Sequence, residues 1–190
     1  MSEDMLNEEN GPHFRGPFLE NFHLGILIPS GPTWETGFAI SLLDAIQAMI
    51  TVRIAKNQGY FIRNLQTSLL AYSREQLVYS ALEENPNMTH ILFLDQDNTF
   101  PPDTIHYMAY QREPIIIANY VRRTVPAVPI TKDMNGKILT TMPGDTGKVE
   151  VKGGGLGVAL FERQVFERVP RPWFDTRWRD NGATPGHPRP

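Results

Sequence analysis

Asp95 and Asp97 follow directly on the apolar run Ile91–Leu94 in the segment HILFLDQD. Residues two apart on an extended chain point the same way, so both carboxylates are expected to face one space. Two carboxylates that close repel, and they resist joint ionisation unless a cation lies between them. Short Asp side chains offer hard oxygens suited to Mg²⁺ or Mn²⁺, with phosphate oxygens completing the coordination. The apolar run puts the pair at the carboxyl end of a buried strand, and open α/β sheets bind ligands outside those ends. The plainer reading is two solvated loop acids, with Asp97-Asn98 as turn residues.

Residue types exclude several other chemistries. Zero cysteines remove a disulfide scaffold, a thiolate zinc site, an iron–sulfur cluster and a Cys nucleophile. No G-x-x-x-x-G-K-[ST] occurs, so the GGGLG run from Gly153 to Gly157 is not that kind of phosphate loop. A formal charge of −3 and a pI near 5.9 argue against a nucleic-acid binder held by a basic field. The 190 residues suit one domain with tails, large enough to hold a core without staples. The acidic start MSEDMLNEEN is unlike a secretory signal, and no apolar run approaches the ~20 residues of a membrane helix. The expectation is a soluble cytoplasmic protein.

The elements that must position the acids follow from periodicity. Residues 1–22 are polar with Gly11, Pro12, Gly16 and Pro17, and predict a flexible arm; residues 177–190 predict a Pro/Gly/Arg-rich tail. Between them, the domain at 23–176 opens with HLGILI, a buried strand ending at Pro29. Phe38, Leu42, Ile46, Met49 and Ile50 predict an amphipathic helix from Trp34 to about Ala55, stopped near Gly59. Tyr60–Leu65 suits a second strand. Leu77, Val78, Ala81 and Leu82 predict a helix starting at Ser68 or Ser73, the latter with a Ser73–Gln76 capping box, and ending at Glu84. After the acidic strand, Pro102 suits the first turn of a short helix reaching Gln111. PIIIANY is a further buried strand, and Asn135-Gly136 marks a hairpin between 128–132 and 138–141. A strand at 157–161 and a helix at 163–169 close the pattern. Alternating strands and helices predict an α/β fold with a mainly parallel, Rossmann-like sheet flanked by helices, plus a small antiparallel hairpin.

An apolar strand running into D-x-D resembles two enzyme classes. ILFLDQDNT fits the D-x-D-x-T of haloacid-dehalogenase-like phosphatases, in which Asp95 would be the nucleophile and Asp97 the acid/base. That pattern puts its motif on the first strand and needs later Ser/Thr, Lys and paired acids, whereas here a strand and two helices come first. The chain more closely resembles family-2-type GT-A glycosyltransferases, especially short phage-like ones, from about His23 to Phe174. LGILIPSG, SLLAYSREQLVYSAL, ILFLDQDNTFPPDTI and GGGLGVALFERQVFERVPRPWF carry the likeness.

The resemblance implies a GT-A-type fold and a metal-dependent transfer of sugar from a nucleotide-diphosphate donor to an acceptor hydroxyl. It implies that Pro29 and Ser30 line the base pocket and that Arg74 faces the base or diphosphate, although a helix-surface arginine reads equally well. Asp95 would contact ribose or a metal-bound water, and Asp97 would ligate Mn²⁺ or Mg²⁺. Gly155 in its glycine run would admit sugar or acceptor, and Trp173 and Phe174 would wall the acceptor side; an ordinary turn and core aromatics are the alternatives. The NLQTS segment lacks the acid that reads the base in many relatives, and no Glu-Asp pair follows Phe174. Asp175 is the candidate base by position. The chain as given is expected to bind a nucleotide sugar and transfer slowly, and a non-catalytic binding module is a further alternative.

Overall fold

The computed structural model describes residues 19–122, 124–141, 145 and 147–175. The expected tail at 177–190 and residues 1–18 of the expected arm lie outside them. Five strands form the main sheet: β1 (Leu19–Ser30), β2 (Ala55–Gln66), β3 (His90–Leu94), β4 (Ile115–Ile117) and β7 (Val158–Glu162), in the order β2-β1-β3-β7-β4. β5 (Lys132–Asp133) and β6 (Val151–Gly153) pair antiparallel in a second, small sheet. The helices are α1 (Thr36–Thr51), α2 (Leu70–Glu84), α3 (Thr104–Tyr110) and α4 (Arg163–Arg168). The architecture is the expected Rossmann-like α/β arrangement.

Alternation along the strands builds two apolar faces. Leu24, Ile26 and Ile28 of β1, Leu92 and Leu94 of β3, and Val158 and Leu160 of β7 meet α1 and α3 on one face. Leu27, Ile91, Phe93, Ala159 and Phe161 meet α2 and Phe166 of α4 on the other. Each fully buried Leu, Ile or Phe contributes about 1.5–3 kcal/mol by area alone. No helix among the described residues is long and apolar enough to cross a membrane.

Some local expectations change. Residues 19–22 are strand rather than arm: Leu19 pairs with Ala55, and fully buried Phe22 lies 4.7 Å from the His90 ring. The twelve-residue β2 supplies a partner for that whole length. α1 ends at Thr51 and not near Gly59, which is mid-strand opposite His23, where a Cβ would lie 3.1 Å from Nδ1. β1 also passes through Pro29. The carbonyls of Ile28 and Ser30 face β2, so the proline nitrogen faces the β3 side, where pairing has already ended at Leu27↔Phe93.

The Ser73–Gln76 box does not form. Leu69 is the N-cap, without a side-chain cap, and Ser73 is buried inside α2 with its N–H donating to Leu69 O. Pro102 lies in the turn before α3, whose N-cap is Asp103. The Asn135-Gly136 turn is present, with Gly136 at φ +82° and Asp133 N–H bonded to Lys137 O at 2.8 Å.

The direction of β7 was not foreseen. It runs antiparallel between β3 and β4, while the other four strands share one direction. The excursion from β4 to β7 leaves and re-enters at the same end of the sheet, so the returning strand must run backwards. That end is the one where β1, β2 and β3 finish.

Candidate functional site

The connection from β1 leads to β2 on one side of the sheet, and that from β3 leads towards β4 on the other. Between β1 and β3 the strand order therefore reverses, and both connections lead into helices on the same face, α1 and α3, so the opposite, α2 face is left open above the strand ends. A cleft of about 200 Å³ opens there, lined by Pro29, Ser30 and Gly31 from β1, Thr67, Ser68 and Leu70 from the β2–α2 junction, and Asp95, Gln96 and Asp97 from β3. The structure thus brings Pro29, Ser30, Asp95 and Asp97 to one place. Gln96, Thr67, Ser68 and Leu70 were not anticipated.

The acids do not continue the strand. β3 ends at Leu94, and Asn98 N–H donates to Asp95 O at 3.1 Å to close a turn over 95–98. Asp95 and Asp97 share the cleft through that turn, not through extended alternation. Asp95 follows Phe93 on the α2 side, and its N–H still donates to Gly157 O of the antiparallel neighbour at 2.8 Å. Between the acids, Gln96 Oε1 accepts from Gly31 N–H at 2.8 Å and Gln96 O accepts from Glu35 N–H at 3.2 Å. The β1 loop is thereby fastened to the acidic turn.

Arg74 is no surface residue. It lies three, four and seven positions before Leu77, Val78 and Ala81, on the sheet-facing stripe of α2. Its side chain is 11% exposed, and Nη2 donates to Asp95 Oδ1 at 2.8 Å. The guanidinium carbon lies 5.8 Å from the Phe93 ring centre, and buried Nε has no partner among the described residues. Burial pushes the Asp95 carboxyl above its ordinary value; Arg74 draws it part of the way back, and Asp97 adds to the rise.

In the unanticipated supports, Asn64 Nδ2 donates to Ile28 O at 2.9 Å and to Ser30 Oγ, fixing the hydroxyl at the rim. Tyr120, just past β4, accepts a 2.9 Å hydrogen bond at Oη from Gly157 N–H. A Cβ on Gly155 would strike Ile130 and Tyr120 Oη; one on Gly157 would meet Asn98, Tyr120 Oη at 2.6 Å and Asp95 Oδ2 at 2.9 Å. The glycine run therefore admits the protein's own side chains at close range. Burial pushes the Tyr120 phenol up, so it keeps its proton at neutral pH.

The structure places Trp173 and Phe174 against the second apolar cluster, apart from the cleft lining. The Trp173 ring lies 5.5 Å from that of Phe166 and Phe174 lies 5.5 Å from Phe93, both edge-on. Trp173 Nε1 donates to Phe166 O and Val169 O. Their backbone N–H groups, with Arg171 Nε, donate to the carboxylate of Glu75, which is 8% exposed. Asp175 follows on the surface and is not among the cleft residues.

Whether a divalent cation suits the site can be judged from its donors. Among the described residues no three His, Cys, Asp or Glu side chains gather closely enough to share a metal. Asp97 and Asp95 Oδ2, with Oδ1 taken by Arg74, make a sparse carboxylate set. Sparse sets of hard oxygens suit Mg²⁺ or Mn²⁺, which take most ligands from water and phosphate.

No protein-family model and no curated protein sequence matches the chain. Solved structures do. A197 from STIV superposes with a TM-score of 0.53 at 19% identity, over 82% of this chain and 72% of that one. A glycosyltransferase involved in the glycosylation of the major capsid of PBCV-1 is matched at TM-score 0.34 and 14% identity, over 76% and 62%. The first likeness shows a shared fold; the second superposition is too loose to carry an argument.

Proposed function

We propose that the chain binds a nucleoside-diphosphate sugar in the cleft between β1 and β3 and acts as a glycosyltransferase of the GT-A type. One observation carries the reading: two aspartates, one of them bonded to a largely buried arginine, line a small polar cleft at the strand-order reversal of a Rossmann-like sheet. Pro29 and Leu70 offer apolar surface for a base, while Ser30, Thr67 and Ser68 offer hydroxyls for base and ribose. Arg74 holds Asp95 at the edge of the cleft, and its remaining N–H groups favour phosphate. Asp97 and Asp95 Oδ2 would hold Mg²⁺ or Mn²⁺, which when bound supplies positive charge to the departing diphosphate. Deprotonation of the acceptor hydroxyl requires a carboxylate within hydrogen-bond reach; Asp175 is the candidate by its position in the sequence and, lying outside the cleft lining, would serve only an acceptor bound on its side.

The test is calorimetric titration with UDP, GDP and dTDP, with and without Mn²⁺, on the wild type and on Asp97→Asn. Metal-dependent binding that the variant loses while its melting curve is unchanged is the expected result. Equal, metal-independent binding by both proteins would sink the assignment.

A further inference from the structure

We propose that Tyr120 recognises the group carried beyond the second phosphate of a nucleoside diphosphate, and so sets donor-sugar preference. This deepens the nucleotide-sugar reading above and rests on it. The sheet order β2-β1-β3-β7-β4 puts the cleft on the β1–β2 side of the acidic turn and Tyr120 on its β7–β4 side. A nucleotide with its base between Pro29 and Leu70 and its phosphates at Arg74 and Asp97 thus points its terminal substituent towards Tyr120.

The phenol is held ready for that contact. Its oxygen accepts from Gly157 N–H at 2.9 Å, which spends a lone pair on the backbone and turns the O–H away from Gly157. Among the described residues nothing accepts that O–H. Gly155 and Gly157 leave the space the ring tip occupies, since a Cβ on either would collide with Oη. A Cβ on Gly157 would lie 2.6 Å from Oη and 2.9 Å from Asp95 Oδ2, so a phenol donor and a carboxylate acceptor border the same small space. A donor and an acceptor bordering one space match a sugar hydroxyl, which needs one of each, and Oδ2 carries two lone-pair sites, one for a cation and one for that hydroxyl. The backbone reinforces the placement, because Tyr120 O accepts from Ile130 N–H at 3.1 Å.

The experiment compares UDP-glucose, GDP-mannose and dTDP-glucose, each against its own nucleoside diphosphate, on the wild type and Tyr120→Phe with Mn²⁺ present. The variant keeps the ring, and a thermal melt checks that the strand end survives. The expected result is a loss of about 3- to 10-fold in affinity for the sugar nucleotide the wild type prefers, with the matching diphosphate unchanged. Unchanged affinity for both ligands overturns the proposal. An equal loss for both also overturns it, and assigns Tyr120 to the geometry of the acidic turn. Failure of the wild type to bind any diphosphate overturns the underlying nucleotide reading, and this proposal with it.

Discussion

Replacing Arg74 by Met keeps most of the buried stem and removes the charge facing Asp95. The Arg74 side chain is 11% exposed and that of Asp95 24%, and the pair is bonded at 2.8 Å. Removing one partner of a fully buried pair costs about 3–5 kcal/mol, whereas exposed pairs contribute about 0–1 kcal/mol. Water reaches a quarter of Asp95 and can hydrate part of the stranded carboxylate, so Arg74→Met should destabilise the fold by about 2–3 kcal/mol. For a domain near 150 residues that corresponds to a melting point lower by about 4–12 °C. Asp95→Asn on the same background needs no counter-charge and should recover much of the loss. Urea unfolding of the wild type, both single variants and the double variant, at a common m-value, yields the coupling. A coupling below about 0.5 kcal/mol, the scatter of independent sites, would refute the picture of a buried pair. Arg63→Ala breaks the exposed Arg63–Glu84 pair and should leave the melt unchanged.

The glycine run gives a paired test: Gly155→Ala should lose about 1–3 kcal/mol by overpacking against Tyr120 and Ile130, while Gly153→Ala, with open space around it, should melt like the wild type. Glu75→Ala removes the acceptor for Arg171 and two backbone N–H groups, and should cost about 2–4 kcal/mol and red-shift the emission of Trp173. An unshifted spectrum in native buffer would show that the 171–174 segment holds without it. Burial lowers the His90 pKa from 6.5, with Glu162 offsetting part of the drop. The unfolded chain therefore takes up the proton more readily, and stability should fall as pH drops through 6.5 towards the folded value. Thermal melts between about pH 7.5 and 5 should show a shallower slope for His90→Gln than for the wild type; equal slopes would remove His90 as the cause.

The strongest sequence signals were those in which one face repeats. HLGILI and ILFL are buried on both sides and became adjacent parallel strands, because only a sheet covered by helices has room for unbroken apolar runs. The direction of β7 was hidden, since VALFE reads the same either way and only the path of the long excursion decides it. The turn after Leu94 was concealed by the assumption that a strand continues through its acids. The burial of Arg74 was available from helical spacing: counting back from Ala81, Val78 and Leu77 reaches it, and a charge on an apolar stripe needs a partner. Glu75 offered no such sign, because its partners lie almost a hundred residues later in the chain. The glycines signalled close approach but not what approaches.

Gln96 has a mechanical consequence. Its side chain and carbonyl tie the loop after β1 to the turn after β3, so drawing the two lips of the crevice apart would break both hydrogen bonds. Each bond opposes that separation by about 0.5–1.5 kcal/mol. The third wall is joined too, since Thr67 N–H donates to Ser30 O at 3.2 Å, so all three walls of the cleft meet through the end of β1. The residue between the aspartates is thus a strut, and changing it alters compliance while leaving the charge untouched.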